Sequence, residues 1–259
     1  MLPKTVLRLS VLVFSLFFVV TDSVWGQSSL TLPDVESIFR VEVSLEMEGL
    51  DPIHSETVSP SVGPTVQEEV TEVTGFGRMI RVGTTEVSPT QENFQSEGLV
   101  FVDPGVAQLF EWEYIAGDPE TALAKPLQMV ITEAIALKYF DGVECLGQTL
   151  NLPTEISYTI SGVIKDLPKG LPIAEELFAS YATYPVRSNS QMIEGTVETY
   201  LQVPVGTSAV TAYLDRVVEK ELRGGYVEAL GLSMEEWKAG DNRLVLELVP
   251  VAELAKGKE

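Results

Sequence analysis

"VITEAIALKYFDGVECLGQTLNL", residues 130–152, passes through strand, helix, turn and strand in one short run. It begins inside "LQMVIT" (127–132), an apolar, β-branched stretch that reads as a strand. Thr132 then stands where a hydroxyl can accept from the free N–H groups of a helix "EAIALKYF" (133–140). In that helix Ile135, Leu137, Tyr139 and Phe140 give one broad apolar face, and Gly142 ends it. "QTLNLPTEISYTISGVI" (148–164) follows as two more short strands about a turn at 151–155. The run also holds Cys145, the chain's only cysteine.

Upstream, "GLVFVDPGVAQLFEWEYIAGDPETAL" (98–123) spells a strand at Leu99–Val102, a short helix begun at "DPG", and a strand at Glu111–Ala116. Asp118 can cap a further turn with Pro119 at its first position. Farther out the pattern changes. "VESIFRVEVSLEME" (35–48) sets Ile38, Arg40, Glu42 and Ser44 on one side and Phe39, Val41, Val43 and Leu45 on the other, as a half-buried strand does. "PTVQEEV" (64–70) is a short helix, and a strand returns around Phe76–Val82. Near the other end come the strand "GTVETYLQVPVG" (195–206), the helix "TSAVTAYLDRVVEKELRGG" (207–225) and the strand "NRLVLELVPV" (242–251). That helix carries a stripe of Val210, Leu214, Val217, Val218 and Leu222, and Gly224 and Gly225 are expected to stop it.

The expected architecture is α+β. A split βαβ base of ferredoxin-like type comes from 34–85 plus 195–250, with a mixed, strand-rich subdomain (94–168) inserted in it. Residues 169–194 read as a connecting segment in which "IAEELFASYATYPV" (173–186) fits strand or helix.

The N-terminus carries Lys4 and Arg8 ahead of the apolar run "LSVLVFSLFFVV" (9–20), then the polar "TDSVWGQSS" (21–29). The run is shorter than the roughly 20 residues that cross a bilayer as a helix, so residues 1–26 are expected to be a signal peptide, cleaved after Gly26. Extending the run through Trp25 keeps a membrane anchor over residues 4–25 open, and both readings export the rest of the chain.

Composition bounds the chemistry. The chain has 259 residues, 45% hydrophobic, with 38 acidic against 17 basic side chains and a formal charge of −21. Such a chain repels phosphate backbones, which argues against nucleic acid as partner. Neither G-x-x-x-x-G-K-[ST] nor a G-x-G-x-x-G between strand and helix occurs, so no nucleotide cofactor is expected. G-x-S-x-G and H-E-x-x-H are also missing, and one His with one Cys makes too few ligands for a zinc site. The calcium-loop template is missing too, so no metal is expected. An enzyme would have to use Cys145, paired with His54 in its Pro-flanked loop, or a pair of carboxylates. No orienting group or local signature marks either residue, so Cys145 reads as a small apolar residue and His54 as a polar loop residue.

In order and spacing the phrases form a series: Phe101, Asp103, Pro104 and Phe110; Gly117, Asp118, Pro119, Thr121, Ala122 and Leu123; then Pro126, Val130, Thr132, Glu133, Lys138, Tyr139 and Phe140. Gly147, Thr149 and Leu150 follow, then Gly162, Val163, Lys165, Asp166 and Pro168. The series resembles the periplasmic core domain of MacB/FtsX-like ABC transporter permeases. "VESIFRVEV" (35–43) looks like that family's first strand after its first membrane helix, and "RLVLELVPVAEL" (243–254) like the strand before the next one. Cys145 stands near a usual proline, and Gln148 at a frequent lysine.

The resemblance implies a porter-type base with a sabre-like insert. It also implies a non-catalytic role in the periplasm, moved by membrane helices that couple to a cytoplasmic ATPase. A full permease carries further membrane helices after the last strand, whereas this sequence ends at "AKGKE" (255–259), so the expectation is a detached domain or a piece of a permease. The implied partner is an ABC permease/ATPase complex or another periplasmic protein, in a transport, efflux or envelope process. The competing class is an exported hydrolase-type enzyme using Cys145 or a carboxylate pair.

Overall fold

The computed structural model describes residues 35–184 and 197–256. The leader expected over residues 1–26 lies outside them. β1 (Ile38–Glu46) is followed by a short edge piece, β2 (Ile53–Ser55), then α1 (Val62–Glu69) and β3 (Gly75–Val87). Next come β4 (Gln95–Val102), α2 (Pro104–Leu109), β5 (Tyr114–Gly117) and β6 (Gln128–Thr132). α3 (Glu133–Phe140), β7 (Thr149–Asn151), β8 (Ser157–Ile164) and β9 (Leu177–Ser180) complete the middle of the chain. The last part holds β10 (Glu198–Gln202), α4 (Ser208–Val217), α5 (Arg223–Ala229), α6 (Met234–Ala239), β11 (Arg243–Pro250) and α7 (Val251–Lys256).

All these strands join one sheet in the order β11-β1-β10-β3-β4-β9-β6-β8-β5, with β2 beside β1 and β7 beside β8. The first four strands, β11-β1-β10-β3, are all antiparallel neighbours with helices α1 and α4 as their crossovers. That is the ferredoxin-like split βαβ order, and the strand-rich middle of the chain extends the same sheet beyond it. The fold is thus α+β, a split βαβ base with an inserted mixed block.

One strand makes this continuity. β3 has 13 residues; Gly75–Met79 pair with β10, and Met79–Val87 pair with β4. The register shifts between Arg81 and Gly83, a bulge that leaves Val82 outside the ladder. One sheet face carries a single apolar cluster from Ile38 and Tyr200 through Met79, Val100 and Phe178 to Val130 and Ile164. The other face carries two. One is helix-covered around Val41, Leu201, Leu214 and Trp237; the other lies around Ile80, Met129, Ile135 and Tyr158. Arg78, opposite Thr199 on β10, lies on this face between them.

α2 sits unusually close to β3. A Cβ on Gly105 would lie 1.9 Å from the Phe76 carbonyl oxygen, and one on Gly77 would lie 2.7 Å from the Val106 amide nitrogen. The "DPG" that starts this helix therefore has a second purpose. The Asp103 carboxylate caps nothing; it takes Arg78 Nε at 2.6 Å, while the Asp103 N–H donates to the Arg78 carbonyl at 3.0 Å. The Arg78 guanidinium also lies 4.4 Å over the Tyr181 ring and donates to the Pro60 carbonyl.

Several expectations change. β1 is not half-buried: β11 flanks one side and β10 and β2 the other, and Arg40 and Ser44 are buried with the apolar residues. α3 does start at Thr132, whose hydroxyl accepts from Ile135 N–H, but it packs through Ile135 and Ala136 and leaves Leu137 exposed. Asp141, in the left-handed region at φ 59°, ends that helix one residue before Gly142. The turn after Asp118 closes on that side chain, which accepts from Glu120 N–H and the Thr121 hydroxyl, without becoming a helix. Helix α4 runs on through one π turn (Val218–Leu222) and α5 past Gly224 and Gly225. Burying Leu222 and Val227 outweighs the cost of about 1 kcal/mol that each helical glycine carries. The chain stops instead at Gly231, where Leu232 N–H bonds the Val227 carbonyl and Gly231 N–H that of Glu228, a Schellman ending. Residues 169–194, expected to connect, place β9 between β4 and β6.

Two outcomes test this packing. Gly105→Ala forces α2 off β3 and should lower stability by about 2–3 kcal/mol in a urea titration, with an unchanged midpoint as the contradicting result. Burial first, then the nearby Asp118, push the Tyr114 phenol up to about 12 from its ordinary 10.0. A phenol held above its unfolded value contributes stability below pH 10 that is lost as pH climbs toward 12. Stability curves should therefore fall across that window, and less steeply in Tyr114→Phe.

Candidate functional site

The sequence offered Cys145 and His54, and the fold keeps them apart. Cys145 is fully buried among Ile135, Ala136, Leu150 and Tyr158, beneath α3. Burial pushes its thiol up, away from the reactive thiolate. Its carbonyl accepts from Gln148 N–H in the turn that carries Gly147 at φ 81°. His54 lies exposed on β2, opposite Ser44 of β1, in a strand where the sequence suggested a loop. Four strands, β10, β3, β4 and β9, separate β1 from the β6 strand that leads into α3.

Two pairs of carboxylates are bridged by arginines. Glu42 and Glu56 share Arg40, the first with its Oε1 2.8 Å from Arg40 Nε. Glu198 and Glu175 share Arg81, where the guanidinium occupies the space between them. Among the described residues, no group of three His, Cys, Asp or Glu could hold a metal ion.

Arg81 stands where β3 passes from β10 to β4. Its Nε lies 2.5 Å from Glu198 Oε1 on β10, its Nη1 contacts Glu175, and its Nη2 donates to the Pro172 carbonyl at 2.6 Å. Glu198 in turn accepts from the Tyr200 hydroxyl at 2.7 Å. Burial works against the Arg81 charge, yet the hydrogen bond and charge of Glu198, with those of Glu175, hold it above its ordinary value. One guanidinium thus ties the base strand β10 to the segment that leads into β9.

That segment lines a groove of about 540 Å³ between residues 166–176 and Thr132. Leu171 and Ile173 are buried in its wall, while Asp166, Lys169 and Glu176 are exposed at it. Both ends are tied to the start of α3. Asp166 Oδ1 accepts from Ala134 N–H at 3.0 Å, and the Glu176 carbonyl accepts from Thr132 N–H at 3.1 Å. Glu175 belongs to both features: it lines the groove and holds Arg81.

Comparison with known proteins places this arrangement. The family model described as the MacB-like periplasmic core domain matches residues 6–217. The chain belongs to that family. A domain assigned to a permease of Porphyromonas gingivalis is similar in structure, with TM-score 0.69 and 23% identity over 85% of this chain and 91% of that one. The periplasmic region of MacB from Actinobacillus actinomycetemcomitans has TM-score 0.53 and 10% identity, over 84% of this chain and 91% of that one. At these identities the likeness shows the shared fold. No curated protein matches the chain. Among the described residues, no helix is long and apolar enough to cross a membrane.

Reading the sequence missed Arg81, Glu175 and Glu198. The available signal was faint: an arginine two residues after the buried Met79 and on the same face of β3, though Arg81 itself stays partly exposed. Arg81→Met leaves Glu198, 7% exposed, without its cation and should cost about 3 kcal/mol by urea unfolding. Arg81→Met with Glu198→Gln should regain part of the loss; equal losses in both variants would contradict the pairing.

Proposed function

We propose that this chain acts outside the cytoplasm as a non-catalytic binding domain of an ABC-type transport or envelope process. Residues 4–25 export it and either leave with a cleaved leader or hold it at the inner membrane. Family membership is the observation that carries this reading. The buried thiol of Cys145 supports it, since a nucleophile needs an accessible thiolate and a base. The arginine-filled carboxylate pairs also support it, because no space for a substrate lies between them.

The groove beside residues 166–176 is the surface we assign to the partner. An apolar wall of Leu171 and Ile173 beside the exposed carboxylates of Asp166 and Glu176 suits a polypeptide segment with basic and apolar side chains. On this reading the base (34–85 plus 195–250) faces the transporter, and the insert (94–168) carries the groove's other wall. Affinity purification of the full chain from membranes should bring down an ABC permease or its ATPase. Glu176→Lys should reduce that recovery several-fold with the melting curve unchanged. Recovery of no transporter component would sink the transporter reading, and undiminished recovery with Glu176→Lys would sink the groove alone.

A further inference from the structure

The two edges of the sheet are built differently. β5, at one end, has only 4 residues, and its pairing with β8 is broken between Tyr114 and Ala116. Gly117 then turns away at φ 93° with Pro119 close behind. These are the devices that keep an edge from pairing with another chain. β11, at the other end, has none of them. Its 8 residues run beside β1 in unbroken register, from Phe39 opposite Pro250 to Glu46 opposite Arg243. Its proline is the last residue, and its only charges are Arg243 and Glu247. Among the described residues, no strand pairs its outer side. Helix α4 packs on one face of it, over Leu244 and Leu246.

We propose that β11 is a self-pairing edge, along which two copies of the chain join antiparallel about a two-fold axis at Val245. The charges select this register. An axis at Val245 sets Arg243 opposite Glu247 of the second copy, twice over, and Leu244 opposite its Leu246. An axis at Leu246 sets Val245 opposite Glu247, and one at Leu244 brings Asp241 against Glu247. Of these three, the Val245 axis alone joins opposite charges. The chain by itself leaves both groups poorly matched. Glu247 lies opposite Glu42 of β1 and makes no ion pair among the described residues. Arg243 reaches only Glu46, at 3.9 Å, with its side chain 66% exposed. Pairing gives each the partner it lacks and satisfies the row of backbone groups that the edge presents. The net charge of −21 on each copy opposes the union, so added salt, which screens it, should strengthen the dimer. This inference does not depend on the transporter reading.

Val245→Cys in the full chain tests it, because the only native thiol is buried and silent. Directly opposed strand residues have Cβ atoms about 4.5–5.5 Å apart. Mild oxidation should therefore link Val245→Cys into a covalent dimer. Val249→Cys, whose copies would stand roughly 27 Å apart along the strands, should remain monomeric. Adding Arg243→Glu to Val245→Cys should cut the cross-linking several-fold, and adding Glu247→Arg as well should restore it. The proposal is overturned if Val245→Cys links no better than Val249→Cys, or if the charge exchange restores nothing while both variants melt like the parent. A strand of another protein seated on β11 would give that same negative result.

Discussion

The structure depends on a change of partner within one strand. β3 spends its first residues on β10 and its later ones on β4, and Arg81 sits at the change with a carboxylate on each side. The two ladders meet at Met79, and just beyond it a bulge between Arg81 and Gly83 adds one residue within the pairing to β4. There the buried Glu198 carboxylate needs a cation, and the partly exposed Arg81 supplies it; with Glu175 on the same guanidinium, two distant pieces of chain are fastened to one atom group. The shared apolar cluster on one face then makes the base and the insert parts of one packed body.

This matters for how a domain of this family could work. β1 and β11 lie side by side at one end of the sheet, and the groove lies toward the other, beside β6 and β9. On our proposal, displacement imposed at the first end would reach the second through paired strands and through the Glu198–Arg81–Glu175 chain. Packed cores and ladders move as units more readily than they bend. On our proposal the groove is therefore carried by the base, and its occupant is felt there through Glu175.

Much of this was legible in the sequence, for identifiable reasons. The "DPG" and Thr132 starts, the alternation of β8 and the stripe of α4 are local signals, and the structure reproduces them. The helix that ignores Gly224 and Gly225 was misread because tertiary burial of Leu222 and Val227 overrides local propensity. β9 was ambiguous because a short strand buried on both faces shows no alternation, and Leu177–Ser180 is buried throughout. The site was the least legible part. Arg81 lies 94 residues from Glu175 and 117 from Glu198, and no spacing rule joins positions so far apart. Cys145 attracted attention because it is unique, and its burial beneath α3 gives it an ordinary packing role.

The central claim is that one sheet, joined through β3 and Arg81, makes the base and insert a single cooperative unit. Native-state hydrogen exchange of the full chain measures this directly, by following amides of β1 and β10 alongside those of β9 and β6. The account predicts that the slowest amides in both groups open with the same free energy and the same denaturant dependence. Opening of β6 and β9 at a markedly lower free energy, with β1 and β10 still protected, would contradict it.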